Sequence, residues 1–273
     1  MLDVKMLGGL ALAVDDRRLR VDVGASGRLL AAYLFQFPGS AHRKESLVRL
    51  FWPDLDLPHA RGALNTALWR LRRLLGLERA SKGGSNLLSN GPEVVLEPVA
   101  WLTVDTHCFA SAARTALRRP NGSESSGDPQ ALEDVAERYS GPFLAGDELN
   151  WITAERETLQ STYIRCLTEI MRAYAISGRY EFGISAARRI LAVDRFREPV
   201  ERRLAVLLAL NGQRAQALAE LRRWKKLLRD EIGVDPMPET CALERSIASA
   251  DLSSHLPALK RTHLVGECAV SLP

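Results

Sequence analysis

Residues 177–194, SGRYEFGISAARRILAVD, superpose on residues 211–228, NGQRAQALAELRRWKKLL, at an offset of 34. Gly178 meets Gly212, Gly183 meets Ala217, Ala187 meets Leu221 and Ile190 meets Trp224. A turn glycine followed five positions later by a small residue, then by apolar residues at helical spacing, describes a helix pair whose two members approach closely. One such pair cannot bury its own apolar face, so copies must stack, and the second half of the chain is constrained to an array of helices.

The period and the positions of the small residues are those of tetratricopeptide repeats. The apolar-periodic segment from Trp151 to Ile176 supplies the preceding helix or pair. A helix around Glu239 to Ala248, following the breaker GVDPMPE, caps the stack. The run Pro120 to Pro129, PNGSESSGDP, is dense in turn formers and reads as a loop.

The first hundred residues follow another grammar. Leu2 to Leu7, Leu10 to Val14 and Arg18 to Val23 read as short strands separated by Gly8-Gly9 and Asp15-Asp16 turns. From Gly27 the period becomes helical, with Leu29, Leu30, Tyr33 and Leu34 on one face, until Pro38-Gly39 stops it. A second helix spans about Arg43 to Trp52, with Leu47, Leu50 and Phe51 at core spacing. A third begins near Asp56 and Pro58 and is expected to stop at a left-handed Gly76. NLLSNGPEVVLE then gives two β-prone runs around Asn90-Gly91, a hairpin signal. Sheet, three helices and hairpin, in that order, predict a winged helix whose third helix is offered to DNA.

That helix, ARGALNTALWRLRRLLGLE, can be tested on its own periodicity. At 100° per residue, Ala60, Leu64, Ala67, Leu68, Leu71 and Leu75 fall within about 60° of one direction and form the core side. His59, Gly62, Thr66, Trp69, Arg70 and Arg73 lie opposite, flanked by Asn65 and Arg72. Guanidiniums suit phosphates or guanine edges, an amide suits adenine, and an aromatic packs on sugar or methyl groups. A solvated face, a partner groove or a membrane surface is the competing use of such a side. Trp69 either faces DNA or packs beneath the hairpin.

Charge supports the nucleic-acid reading locally, not globally. The 273-residue chain has a formal net charge of only +4. Between Pro58 and Lys82, however, six cations stand against one anion, Glu78, leaving the rest near neutrality. With 46% hydrophobic and 26% charged residues the chain has a globular balance and the length of about two domains. Its four cysteines, Cys108, Cys166, Cys241 and Cys268, form no C-x-x-C pair, which fits a reduced, cytoplasmic protein. MLGGLALAV imitates a signal-peptide core, but Asp3 spoils the positive flank, and no run approaches the roughly 20 apolar residues of a membrane helix.

Catalytic chemistry finds no foothold. The five histidines make no H-x-x-x-H pair, and His107-Cys108 are adjacent residues that cannot serve one metal from one helix face. Ser46 and Ser185 lack a nucleophile-elbow context, and Glu155 and Glu157 read as exposed helix charge. The expectation is no enzyme, no cofactor and no metal.

RKESLVRLFWPDLDLPHARGALNTALWRLRRLLGLE, YSGPFLAG, WITAERETLQSTYIRCLTEIMRAYAISGRY and LLRDEIGVDPMPETCALERSI, in that order, resemble the SARP transcriptional regulators. These join an OmpR-type winged helix to a bacterial transcriptional activator domain, and the likeness covers roughly residues 1 to 250. It implies an α+β winged helix over 1–103, an all-α tetratricopeptide-like activator domain over 104–250, and a tail, 251–273, that matches nothing. It further implies a sequence-specific activator that binds direct repeats of double-stranded DNA near a promoter and recruits RNA polymerase, as regulators of secondary-metabolite pathways do. Asn65, Thr66, Trp69, Arg70 and Arg73 would stand on the recognition helix beside Arg72. Asp54, Leu55 and Asp56 would form the loop facing polymerase, and the repeats would serve self-association, as in a homodimer, or partner contact.

Two features depart from the family pattern. Many relatives carry a Gly-Tyr element in the wing, where this chain has GPEVVLE with Glu93 and Glu97, and no P-loop GxxxxGK[ST] occurs. The acidic wing favours a rival reading, a protein-interaction adaptor whose winged helix no longer binds DNA.

Overall fold

Along the first strand Leu2 and Val4 are buried and Lys5 is exposed, the alternation that a strand with one covered face requires. In this computed structural model, which describes all residues except 16, 20–21, 78–86, 90, 99, 119–127, 250 and 266–273, the strand is β1 (Leu2–Lys5). It pairs antiparallel with β2 (Ala11–Val14), and β2 pairs with β3 (Arg17–Leu19). The Leu10–Val14 and Leu2–Leu7 runs thus become slightly shorter strands than the sequence suggests, and Asp15 takes the turn at φ 45°.

The chain divides into two compact units, Met1–Ser111 with Arg138–Gln160, and Ala112–Glu137 with Ser161–Pro273. The boundary expected at 103/104 falls inside the first.

In the first unit, α1 (Gly24–Gln36) is apolar on nearly every side, with Leu30, Ala31, Ala32, Leu34 and Phe35 all at most 1% exposed. Such a helix belongs in the middle of a core. After it come β4 (His42–Arg43), α2 (Lys44–Phe51) and α3 (Leu57–Leu77), then the hairpin strands β5 (Leu87–Leu88) and β6 (Glu93–Leu96). The three strands form a sheet in the order β4-β6-β5. Val48, not Leu50, joins Leu47 and Phe51 in the core of α2. α3 runs through Gly76 to Leu77, so the expected stop at Gly76 is not made. A glycine costs a helix about 1 kcal/mol, which the buried Leu71 and Leu75 of the same turns outweigh.

β7 (Leu102–Val104) then returns to lie parallel to β1, giving the order β3-β2-β1-β7. A parallel pair needs a long crossover, and here the crossover holds β2, β3, the first three helices and the hairpin. α4 (Asp105–Ala116) follows directly. The Asp105 carboxylate accepts from the amides of Met6 (2.9 Å), Leu7 (3.0 Å) and Thr106 (2.8 Å), tying the start of α4 to the end of β1.

The YSGPFLAG stretch belongs to this unit. Leu144 N donates to Met6 O at 2.9 Å, Gly8 N to Pro142 O at 2.9 Å, and the Ser140 hydroxyl to Leu7 O at 2.8 Å. Arg156, on α6 (Asn150–Ile176), gathers the carbonyls of Phe143, Leu144 and Asp147 at 2.8–2.9 Å. On the same helix Trp151 packs edge-on against Tyr33 and Phe143, at centroid distances of 5.0 and 5.8 Å.

The second unit holds α5 (Pro129–Glu137), the later part of α6, α7 (Tyr180–Val193), α8 (Glu198–Leu210), α9 (Arg214–Ile232), α10 (Pro238–Ala248), α11 (Leu252–Lys260) and a π-helical turn at Arg261–Val265. The turn-rich run at 120–129 lies mostly outside the described residues; residues 252–265 of the unmatched tail are helical.

The offset of 34 is visible bond by bond. Ser177 N donates to Ala173 O, Gly178 N to Ala175 O and Arg179 N to Tyr174 O; 34 residues on, Asn211 N donates to Leu207 O, Gly212 N to Ala209 O and Gln213 N to Leu208 O. Gly178 and Gly212 sit at φ 74° and 76°, the left-handed geometry that closes a helix in this way. Gly183 is small for a reason: a Cβ there would stand 3.2 Å from Leu207 Cδ2. α7 packs on α8 and α8 on α9, with Ala187, Ile190, Ala217, Leu221 and Trp224 all buried between them.

Candidate nucleic-acid interface

Asp56 starts α3. Its carboxylate Oδ1 accepts the His59 amide at 3.1 Å and faces His59 Nδ1 at 2.5 Å, while its carbonyl takes the Ala60 amide at 2.9 Å. This is an N-cap, and it satisfies donors the helix itself leaves unpaired. From there the helix turns a single apolar side inward: Ala60, Leu64, Ala67, Leu68, Leu71 and Leu75 are each at most 4% exposed. They are the six residues that the 100° periodicity selects.

The outward side carries His59, Arg61, Gly62, Asn65, Thr66, Trp69, Arg70 and Arg73, all exposed. Trp69 is 56% exposed, so the ring does not pack beneath the hairpin. Arg73 lies over it, the guanidinium carbon 5.7 Å from the ring centroid. The Thr66 hydroxyl donates to Gly62 O at 2.9 Å, a bond within the helix's own turn. Arg61 reaches Glu45 of α2 at 3.7 Å, an exposed pair of little energetic weight.

Arg72 is placed differently from its neighbours. It is half-buried, and its Nε donates to the Leu87 carbonyl at 3.2 Å. The guanidinium therefore braces β5 against α3. Lys44 does the same from the other end of the hairpin: its amide donates to Pro92 O at 2.8 Å and its Nζ to Gly91 O at 2.7 Å. On β6, Val94 and Leu96 are buried while Glu93 is exposed, as is Glu97 just beyond it, so the hairpin shows two carboxylates outward. Neither brace was visible in the sequence, since each is a side chain meeting a carbonyl far along the chain.

Asp54, Leu55 and Asp56 form an exposed connection between α2 and α3, with Leu55 46% exposed. Asp56 is engaged in the cap, which leaves Asp54 and Leu55 as the outward features. Below the interface, burial pushes the His42 imidazole under its ordinary value, and the ring meets Tyr33 edge-on at 4.9 Å. Arg79 and Lys82, two of the six cations of the basic stretch, lie outside the described residues.

The molecule thus pairs a unit that presents one basic, aromatic-bearing helix with a unit of repeated helices. The model of the bacterial transcriptional activator domain matches residues 104–248, more than half of the chain, and the protein belongs to that family, as the SARP resemblance of its sequence implied. It is 27% identical over 237 residues to the regulatory protein AfsR of Streptomyces griseus, covering 84% of this chain and 23% of the relative. It is 24% identical over 244 residues to the transcriptional regulatory protein MoaR1 of Mycobacterium tuberculosis, covering 89% of this chain and 78% of the relative. The chain spans about a quarter of the length of AfsR. Among solved structures, Mycobacterium tuberculosis EmbR in complex with a low affinity phosphopeptide superposes with a TM-score of 0.71 at 21% identity, over 96% of this chain and 69% of the other.

Proposed function

We propose that the first unit is a winged helix that reads double-stranded DNA through α3, and that the protein is a sequence-specific transcriptional regulator rather than an enzyme. The observation that carries this reading is the division of one helix. Six residues bury its inner side, while Asn65, Thr66, Trp69, Arg70 and Arg73 stand exposed with no packing duty inside the chain. Amide, hydroxyl, aromatic and guanidinium on one outward face match what base edges and phosphates accept. AfsR and MoaR1 being named as regulatory proteins supports the same class.

On this reading the protein acts in the cytoplasm as an activator on direct repeats near a promoter. Asp54 and Leu55 offer an exposed contact to RNA polymerase, and the helical repeats serve self-association. Genome-wide mapping of bound DNA is the test, and an absence of discrete peaks would replace this reading with the adaptor. Glu93 and Glu97, outward on the hairpin, are the observation that favours the adaptor, because carboxylates there repel a phosphate backbone. A purified protein that binds promoter fragments with no dependence on salt would also support it.

A further inference from the structure

A groove of about 440 Å³ opens between α7, α8 and α9, walled by Leu191, Leu204, Leu227 and Trp224. That is the size range of small-molecule sites. Glu201 of α8 lines it, 3% exposed, and its Oε1 has no hydrogen-bond partner among the described residues. A buried carboxyl oxygen left unpaired costs the fold stability and calls for a partner from outside the chain.

The charges facing Glu201 come from three places. Arg188 lies on α7, Arg195 on the α7–α8 connection, and Glu220 and Arg223 on α9. α10 and the C-terminal turn meet α8 through other groups, Glu198, Arg202 and Arg203. Arg195 is paired with Glu231, and Arg223 with Glu220 at 2.6 Å. Arg188 is exposed and has no carboxylate partner among the described residues. The groove therefore holds one uncommitted guanidinium, an apolar wall and, within its lining, a buried carboxyl whose Oε1 is unpaired.

We propose that this groove binds a small organic monoanion with an apolar body, whose carboxylate pairs with Arg188 and accepts a hydrogen bond from the Glu201 carboxyl. The hydrocarbon or ring lies on the leucines and Trp224. Burial, with Glu220 nearby, pushes the Glu201 carboxyl up to about 7, so near neutrality it carries its proton for much of the time. An anion seated beside it retains that proton, and binding is coupled to proton uptake. The site is independent of α3 and of the DNA reading.

Calorimetric titration of the full chain with octanoate, benzoate and indole-3-acetate tests the proposal, because all three stay ionised above about pH 6. At least one binds, and its affinity falls about tenfold between pH 6 and pH 8 as the protonated fraction of Glu201 falls. Arg188→Ala, an exposed change that leaves the core alone, weakens binding by about tenfold. Glu201→Gln keeps the affinity and removes its pH dependence. Binding by none of the three at millimolar concentration would overturn the proposal, as would indifference to Arg188→Ala or tighter binding at high pH. A Glu-rich peptide that binds where the three acids do not would assign the groove to a protein partner instead.

Discussion

The Nε of Arg72 donates to the carbonyl of Leu87 at 3.2 Å, so the one arginine of α3 that points sideways holds the hairpin, while Arg70 and Arg73 face outward. Arg72→Ala should therefore cost about 1.5–3 kcal/mol of stability, the value of a hydrogen bond from a charged group. Arg73→Ala should leave stability within about 0.5 kcal/mol. Chemical denaturation of both variants checks this; equal losses would remove the bracing role.

On the proposed reading, the two exposed arginines and Asn65 should divide the work on DNA. Arg73→Ala should weaken all sequences alike and flatten the log-log salt slope by about one. Asn65→Ala and Arg70→Ala should cost about 1–3 kcal/mol on the true operator and little on scrambled DNA. Affinities measured on both duplexes at several salt concentrations decide it, and folded variants that bind like the parent would show that α3 is not the reader.

Gly62 stands on the outward side of α3 with nothing within 4 Å of where a Cβ would be. Inside the chain, alanine should be welcome, and Gly62→Ala should stabilise the helix by up to about 1 kcal/mol. If DNA approaches that turn closely, the same methyl should lower affinity. A variant that melts higher yet binds more weakly would locate the closest approach; one that binds unchanged would move the contact elsewhere along the helix.

Glu198 caps α10 from within α8. Its Oε1 accepts the Met237 amide at 2.7 Å and the Thr240 hydroxyl at 2.5 Å, with Arg202 3.5 Å away. Glu198→Ala strips the buried Thr240 hydroxyl and the part-buried Met237 amide of their acceptor and should cost about 1–3 kcal/mol in the helical-repeat unit. Hydrogen exchange should show the loss of protection first at the start of α10.

Stability should also fall as pH rises across a defined window. The Glu201 carboxyl titrates near 7 in the folded chain against an ordinary 4.5, so between these values the folded state holds a proton that the unfolded chain has released. Folding is progressively disfavoured across that interval, by up to about 3 kcal/mol once pH exceeds 7. Glu201→Gln should raise the melting temperature at pH 8 and change it little at pH 4. An equal effect at both would contradict the buried-acid assignment.

What could be read in the sequence was whatever rests on local spacing. The buried side of α3 follows from 100° per residue, the hairpin from Asn90-Gly91, and the paired turns at Gly178 and Gly212 from a single offset. What could not be read depends on distant backbone. Arg72 looks like any other arginine of its helix until Leu87 is seen beside it. The 138–160 segment joins the first unit because Met6, Leu7 and Gly8 continue past β1 as partners for residues 140–144 and because Trp151 and Glu155 meet Tyr33 and Gln36 of α1. The short run at 102–104 shows β propensity, but nothing local says that it will lie parallel to β1. Gly76 misled because a helix stop was inferred from the residue alone, without the burial that carries the helix past it.

β1 and β7 are neighbours in one sheet, although nearly a hundred residues separate Lys5 from Leu102. Between them in the chain, α1 to the hairpin leaves the sheet after β3 and rejoins it at β7, the two outer strands, as a cassette. A different set of three helices and a hairpin, spliced at those two points, would meet the same Asp105 clasp and leave the frame undisturbed. The outer strands of the sheet are thus the seams of the first unit, the places where its outward face could be changed without rebuilding what holds it.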